Sequence, residues 1–183
     1  FDAFSMRFMQ MAMLGLLLLA PMTAMMGVQV VNFRMAFYAD AISHTAFTGV
    51  ALGLLLGLSP YWTMPTFGVL VGLGIVALQR RSLLASDTVI GVLFSAVLAF
   101  GLAVVSRNPE VGGDMLRFLY GDILTISNGD LIWLCFLLSV ITLYQVFGYN
   151  RLIYVGLHPL LAETHRVKVG WYQYSYAALL ALV

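Results

Sequence analysis

The chain has 183 residues, of which 62% are hydrophobic and only 9% are charged, and its formal net charge is +1. Soluble domains contain about 25% charged residues, so this composition argues against a water-soluble fold. The absence of a basic surplus and the single cysteine argue against a nucleic-acid partner, a disulfide framework and a cysteine-based metal cage.

Long apolar runs follow one another along the chain and predict an all-α polytopic transmembrane bundle, because barrel strands would be shorter and would alternate in character. Pro21 predicts a kink or break in the first run, and Ser59-Pro60 divides a long uncharged run into two spans. Ser86-Asp87 predicts a helix cap before the fourth span. The predicted spans lie at 8–31, 35–58, 61–78, 86–106 and 130–147, and a truncated sixth begins near Trp171.

The segments between the later spans are more polar. Residues 107–114 predict a loop, and residues 115–126 predict an interfacial or re-entrant helix that is too short and too charged to span. Ser127 and Asp130 have the spacing of a capping box. Because the chain begins at Phe1 without methionine and ends within an apolar run, we expect a fragment of a longer protein that lacks its C-terminal helices.

The distribution of Lys and Arg predicts the orientation in the membrane. Six of these cations fall on one side of the predicted spans and three on the other. The richer side is expected to be cytoplasmic, which places the 148–170 segment inside the cell as part of a single permease domain covering residues 1–183. The six are Arg34, Arg80, Arg81, Arg151, Arg166 and Lys168, and the three are Arg7, Arg107 and Arg117.

Asp40 and His44 stand one helical turn apart inside the apolar second span. Ionisable groups are costly in lipid, so the pair should face a partner, a pore or an ion. A carboxylate and an imidazole suit zinc or manganese, although two ligands cannot complete either site. The others would come from another helix, from water or from a second copy of the chain. A buried Asp–His hydrogen bond that staples two helices explains the residues equally well.

Small residues recur every four positions beside this pair and predict a close helix–helix contact. Asp40, His44 and Thr48 form the adjacent stripe, with Ser43 and Thr48 as secondary candidates for an ion path. The small-residue stripe comprises Ala41, Thr45, Gly49, Gly53 and Gly57.

The 158–168 segment predicts a short amphipathic helix with Pro159 in its first turn. Such a helix either docks into a motor subunit or rests on the lipid surface. Its predicted apolar face comprises Leu160, Leu161, Thr164 and Val167.

With these residues in view, the chain resembles the membrane permease of bacterial zinc/manganese/iron ABC importers. The resemblance rests on Arg34-Met-Ala-Phe-Tyr-Ala-Asp-Ala-Ile-Ser-His44, on Ser86-Asp-Thr-Val-Ile-Gly91 and on Leu119-Tyr-Gly-Asp-Ile-Leu124, which occur in family order. The sequence departs from the family pattern at Ala39 and His158, and the glycine usual after the coupling helix is absent at Arg166-Val167.

The resemblance implies a homodimer in the bacterial inner membrane, served by cytoplasmic ATPase subunits and an external metal-binding protein. The chain itself would be no enzyme and would hold no permanent cofactor, with zinc or manganese, and possible iron, as cargo. Asp40 and His44 would line or gate the metal path. The implied coupling residues are Pro159, Leu160, Leu161, Glu163 and Val167.

Two other transport functions remain open. A permease for a metal chelate, such as a siderophore or cobalamin, would need a wider path and no paired Asp and His. An ion-coupled secondary transporter would show inverted repeats and broken helices at matching positions, and the sequence shows no convincing repeat.

Overall fold

The computed structural model describes residues 6–108, 112 and 126–183, and the described chain is helical without strands. This confirms the all-α prediction. We number the helices of these ranges α1 to α7 in chain order. They are α1 (Arg7–Asn32), α2 (Ala36–Leu55), α3 (Pro60–Arg81), α4 (Ser86–Arg107), α5 (Asn128–Leu157), α6 (Pro159–Thr164) and α7 (Val169–Leu180).

Four of these helices, α1, α3, α4 and α5, are long and apolar enough to cross a membrane. Helix α2 has 20 residues but carries Asp40 and His44, and α7 has 12 residues. The prediction of a polytopic helical membrane protein is therefore confirmed, while the prediction of six spans stays a prediction. The predicted interfacial helix at 115–126 and most of the 107–114 loop lie outside the described residues.

Two predicted helix starts are confirmed and one is not. Helix α3 begins at Pro60, after Ser59 in an extended conformation. At the start of α5 the Asp130 amide donates to Ser127 Oγ over 3.3 Å, and the Ser127 amide donates to Asp130 Oδ2 over 2.8 Å, which completes the capping box. Helix α4 starts after Ala85 with no side-chain cap, so the predicted cap at Ser86-Asp87 is wrong.

Two predicted helix ends are absent, while the alternative of a kink at Pro21 stays a prediction. Helix α1 runs through Pro21 without ending. Helix α5 was expected to stop at residue 147 but continues to Leu157. Leu152 and Val155 on this extension are buried, and their packing favours continued helix over the loop that Gly148 and the polar residues after it predicted.

The described helices form two compact units. One holds α1, α5 and α6, in which α1 packs along α5. The other holds α2, α3, α4 and α7, in which α2 packs against both α3 and α4, and α7 against α3. Nine of the 20 residues of α2 are buried, so α2 is the central helix of its unit. The single-domain prediction for residues 1–183 stays a prediction.

Candidate functional site

Asp40 and His44 lie on the same face of α2, with Asp40 Oδ1 and His44 Nε2 3.8 Å apart. Both side chains are largely exposed, at 61% and 57% respectively. Beside them, the exposed Ser43 Oγ donates to the Asp40 carbonyl over 2.7 Å. The His44 ring also contacts Phe94 of α4, with 5.6 Å between ring centroids. The exposure matters because it leaves the carboxylate and the imidazole open to a ligand.

The opposite side of α2 is closed by packing. Ala41 and Thr45 of the small-residue stripe are both 1% exposed. At Gly49 an added Cβ would lie 3.0 Å from the Met64 Cα of α3, and at Gly53 it would overlap Thr63. The stripe therefore forms the close α2–α3 contact that the spacing predicted, and it turns Asp40 and His44 away from that contact.

Gly57 has a different role from the packing role that the stripe predicted. Nothing lies within 4 Å of its missing Cβ, and its φ is +66°. The Gly57 amide donates to Leu54 O over 3.2 Å and the Leu58 amide to Gly53 O over 2.8 Å. These two bonds are a Schellman motif, so Gly57 ends α2 in a conformation that glycine adopts freely.

Thr48 lies apart from the exposed face. It is fully buried, and its Oγ1 donates to Val97 O of α4 over 3.0 Å. Gly101 of α4 makes room for it, since an added Cβ there would overlap Thr48. Ser43 shares the exposed face of Asp40 and His44, whereas Thr48 connects α2 to α4.

The exposed face offers one carboxylate and one imidazole. Among the described residues, no group of three or more His, Cys, Asp or Glu side chains comes together. Zinc sites use three or four protein ligands, and manganese takes about six donors. The described part of a single chain therefore supplies only part of a metal coordination shell at this position.

The coupling-segment residues lie around α6 in the other unit. Pro159 occupies the first turn, as predicted. Leu160 and Leu161 are 80% and 49% exposed, and Ala162 is the buried residue of the helix. The helix therefore packs through Ala162, which lies outside the predicted apolar face, and the two leucines of that face are left free. Glu163 is exposed and Val167 is half-buried.

A buried amide network for which the sequence predicted no role joins α1 to α5. Gln29 Nε2 donates to Gln145 Oε1 over 3.2 Å, and Gln145 Nε2 donates to Met25 O over 2.8 Å. Asn32 Nδ2 donates to Gln29 Oε1 and to Leu152 O, both over 3.0 Å. The sequence signal that could have predicted this contact is the presence of amide side chains inside two apolar runs. The network is satisfied by its own members and supports the fold of this unit.

A comparison with known protein families matches residues 5–183 to one of them, described as the ABC 3 transport family. The chain belongs to the ABC 3 transport family. The resemblance identified from the Asp40 and His44 region is thereby confirmed, and so is the prediction of a transport subunit instead of an enzyme.

Curated proteins match nearly the whole chain. The manganese import system permease protein ScaB of Streptococcus gordonii is 30% identical, over 96% of this chain and 63% of ScaB. The high-affinity zinc uptake system membrane protein ZnuB of Haemophilus influenzae is 28% identical, over 93% of this chain and 66% of ZnuB. The chain spans about two thirds of these relatives or slightly less.

A solved structure shares the fold. PsaBC from Streptococcus pneumoniae, in complex with Fab, is 27% identical and superposes with a TM-score of 0.78, covering 99% of this chain and 65% of the matched chain. Together with four helices of spanning length, this similarity shows that the chain is an integral membrane protein of the ABC 3 transport family.

Proposed function

We propose that the chain is the membrane permease subunit of an ATP-driven importer of divalent transition-metal ions. Zinc or manganese is the proposed cargo, with iron as a further candidate. The manganese and zinc systems named for the ScaB and ZnuB relatives support this cargo class. Oxygen and nitrogen donors accept all three metals, and selection among them depends on geometry and metal supply.

The observation that carries the proposal is the exposed pair of Asp40 and His44, 3.8 Å apart on α2. The rest of α2 is extensively buried, so these polar side chains occupy the free face of the central helix of its unit. A charge left in lipid is costly. A path for a cation gives the carboxylate and the imidazole a role that helix packing does not.

A symmetric pair of chains supplies the ligands that one chain lacks. Two copies related by a two-fold axis would bring two carboxylates and two imidazoles together. Such a site should bind its ion transiently, since conduction requires release as well as capture. In this arrangement the Asp40–His44 face is the gate of a metal path at the dimer axis, with Ser43 beside it.

The proposed importer lies in the bacterial inner membrane and receives its ion from an external metal-binding protein. ATP hydrolysis takes place on separate cytoplasmic subunits. We assign their docking to the 148–170 segment, where Leu160 and Leu161 are exposed on α6 and Glu163 lies beside them. Exposed leucines on a short helix held by a buried Ala162 suit insertion into a groove of a partner.

The transport proposal is tested with the full-length permease reconstituted with its ATPase and binding protein. Asp40→Asn and His44→Ala should each lower ATP-dependent uptake of zinc or manganese by more than about tenfold, because losing even an outer-shell partner of a metal ligand costs roughly that factor. Asp87→Asn is the matched control, since Asp87 is an exposed aspartate in the first turn of α4. It should leave uptake near the wild-type level.

Measuring assembly distinguishes a gate residue from a residue that only holds two helices together. Each variant is checked for complex formation and basal ATPase activity, which a gate residue should leave intact. Uptake that survives both substitutions would refute the metal path. Loss of assembly along with uptake would instead identify the pair as structural.

The docking proposal has its own readout. Leu160→Asp should reduce recovery of the ATPase with the tagged permease several-fold, because a charge replaces an exposed apolar contact, whereas Leu160→Met should retain it. Equal recovery with all three permeases would place the docking surface elsewhere.

A further inference from the structure

An apolar groove of about 350 Å³ lies between α3 and α4. Its size is at the lower end of the range for small-molecule sites, roughly 300–1,000 Å³. The groove is lined by side chains without polar groups except at one end, where Arg81 stands. Its lining includes Val71, Gly74, Ala77 and Arg81 on α3, and Leu93 and Val97 on α4.

The length of the groove along α3 matches the thickness of one membrane leaflet. Val71 is the twelfth of the 22 residues of α3, and Arg81 is the last. The ten residue steps from Val71 to Arg81 rise about 15 Å, which is half of a hydrocarbon core of ~30 Å. The groove therefore runs from the middle of the span to its end.

The loop beyond Arg81 has the character of a membrane interface. Leu83 and Leu84 are both highly exposed there, Leu83 completely so. Exposed leucines next to paired arginines fit the boundary between acyl chains and head groups.

The two adjacent arginines differ in their contacts. Arg80 Nη1 donates to Gln173 Oε1 of α7 over 2.8 Å, and its guanidinium packs where a Cβ on Gly170 would lie. Arg81 has no hydrogen-bond or ion-pair partner among the described residues, and it borders the groove. A free guanidinium at the end of an apolar groove is complementary to a chain that ends in a phosphate.

We propose that this groove binds an anionic phospholipid, with one acyl chain along Gly74 and Ala77 and the phosphate on Arg81. Basic pockets between transmembrane helices are a recognised basis for anionic head-group selection. The proposal does not depend on which metal the permease carries. It assigns to Arg81 a role that Arg80, held by α7, does not share.

The full-length permease, stripped of lipid in detergent, provides the test. Native mass spectrometry measures the apparent dissociation constants of phosphatidylglycerol and phosphatidylcholine with identical acyl chains. Wild type should bind phosphatidylglycerol about fivefold more tightly, the factor that corresponds to one arginine near an anionic head group. Arg81→Gln should remove this preference, and Arg80→Gln, which makes the same charge change, should keep it.

A second variant tests the acyl part of the groove. An added Cβ at Gly74 meets nothing within 4 Å, so Gly74→Leu fills the groove without disturbing the α3 packing. It should weaken both lipids several-fold while the unfolding temperature in lipid-free detergent stays near wild type. Equal binding of the two lipids by wild type would overturn the proposal. The proposal would also be overturned if Arg81→Gln kept the preference or if Arg80→Gln lost it equally. Unchanged lipid binding in Gly74→Leu would overturn it too, and is the result expected if another protein segment covers the groove.

Discussion

A missing Cβ at Gly53 sets how closely α2 approaches α3, because an added methyl group would overlap Thr63. Gly53→Ala should therefore lower the stability of the permease by roughly 1–3 kcal/mol, the usual cost of overpacking a tight contact. Thermal unfolding of the full-length protein in detergent measures the loss.

Gly27 of α1 is the matched control for this substitution. Nothing lies within 4 Å of the Cβ that alanine would add there. Gly27→Ala should leave the unfolding temperature unchanged or raise it slightly, since alanine is favoured over glycine inside a helix by about 0.5–1 kcal/mol. Equal effects of the two substitutions would mean that the α2–α3 contact does not depend on the size of residue 53.

Two helices in the structure end in the same hydrogen-bonded motif with different residues at the left-handed position. Gly57 ends α2 with φ +66°, whereas Arg166 ends α6 with φ +58° and bonds in the same pattern, its amide donating to Glu163 O and the Val167 amide to Ala162 O. A side chain in this conformation costs about 1–2 kcal/mol. The glycine expected after the coupling helix is thus absent from the sequence, but the backbone turn that it would serve is present.

Substitutions at these two turns should have opposite effects on the stability of the protein. Arg166→Gly should stabilise the protein by up to about 1 kcal/mol, because it relieves the strain at the end of α6, and Gly57→Ala should destabilise it by about the same amount. The unfolding temperatures of the two variants are compared with wild type. Shifts in the same direction would contradict the common motif.

The helices were predictable wherever local chemistry decides the outcome. Continuous apolar runs predicted α1, α3, α4 and α5, and Ser127 with Asp130 predicted the cap of α5. Contacts between helices could not be predicted from the sequence in the same way. The extension of α5 to Leu157 buries Leu152 and Val155, and the Leu152 carbonyl accepts a hydrogen bond from Asn32 of α1. Spacing alone placed Gly57 in a packing stripe, although its positive φ gives it a helix-ending role.

The candidate site was predictable as a pair but not as a surface. The four-residue spacing predicted that Asp40 and His44 share a face, and the structure puts them 3.8 Å apart. Thr48 follows at the same spacing but is buried against α4. One turn along α2 thus separates an exposed polar face from a helix contact, because Thr48 bonds to Val97 O of α4 and Gly101 leaves room for its side chain.

The whole assembly is expected to cover the exposed face of α2, since an aspartate facing lipid is costly. Within the chain, Phe37, Asp40, Ser43 and His44 all lie on that exposed face. The proposed homodimer would place two such faces against one another across a two-fold axis. Residue 43 of one copy would then lie close to residue 43 of the other.

Cysteine cross-linking tests this arrangement in the intact membrane. Cys135 is the single cysteine of the chain and is exposed, so the background is Cys135→Ala. In that background Ser43→Cys should form a dimer with a short thiol-directed cross-linker, because a two-fold contact at α2 brings the two thiols close together. A cross-linker does not need the spacing of a direct disulfide, which forms only where the Cα atoms are less than about 7 Å apart. Thr66→Cys on the exposed side of α3 is the control and should stay monomeric. Cross-linking at residue 66 but not at residue 43 would place the dimer contact on α3 and leave Asp40 and His44 without a symmetric partner.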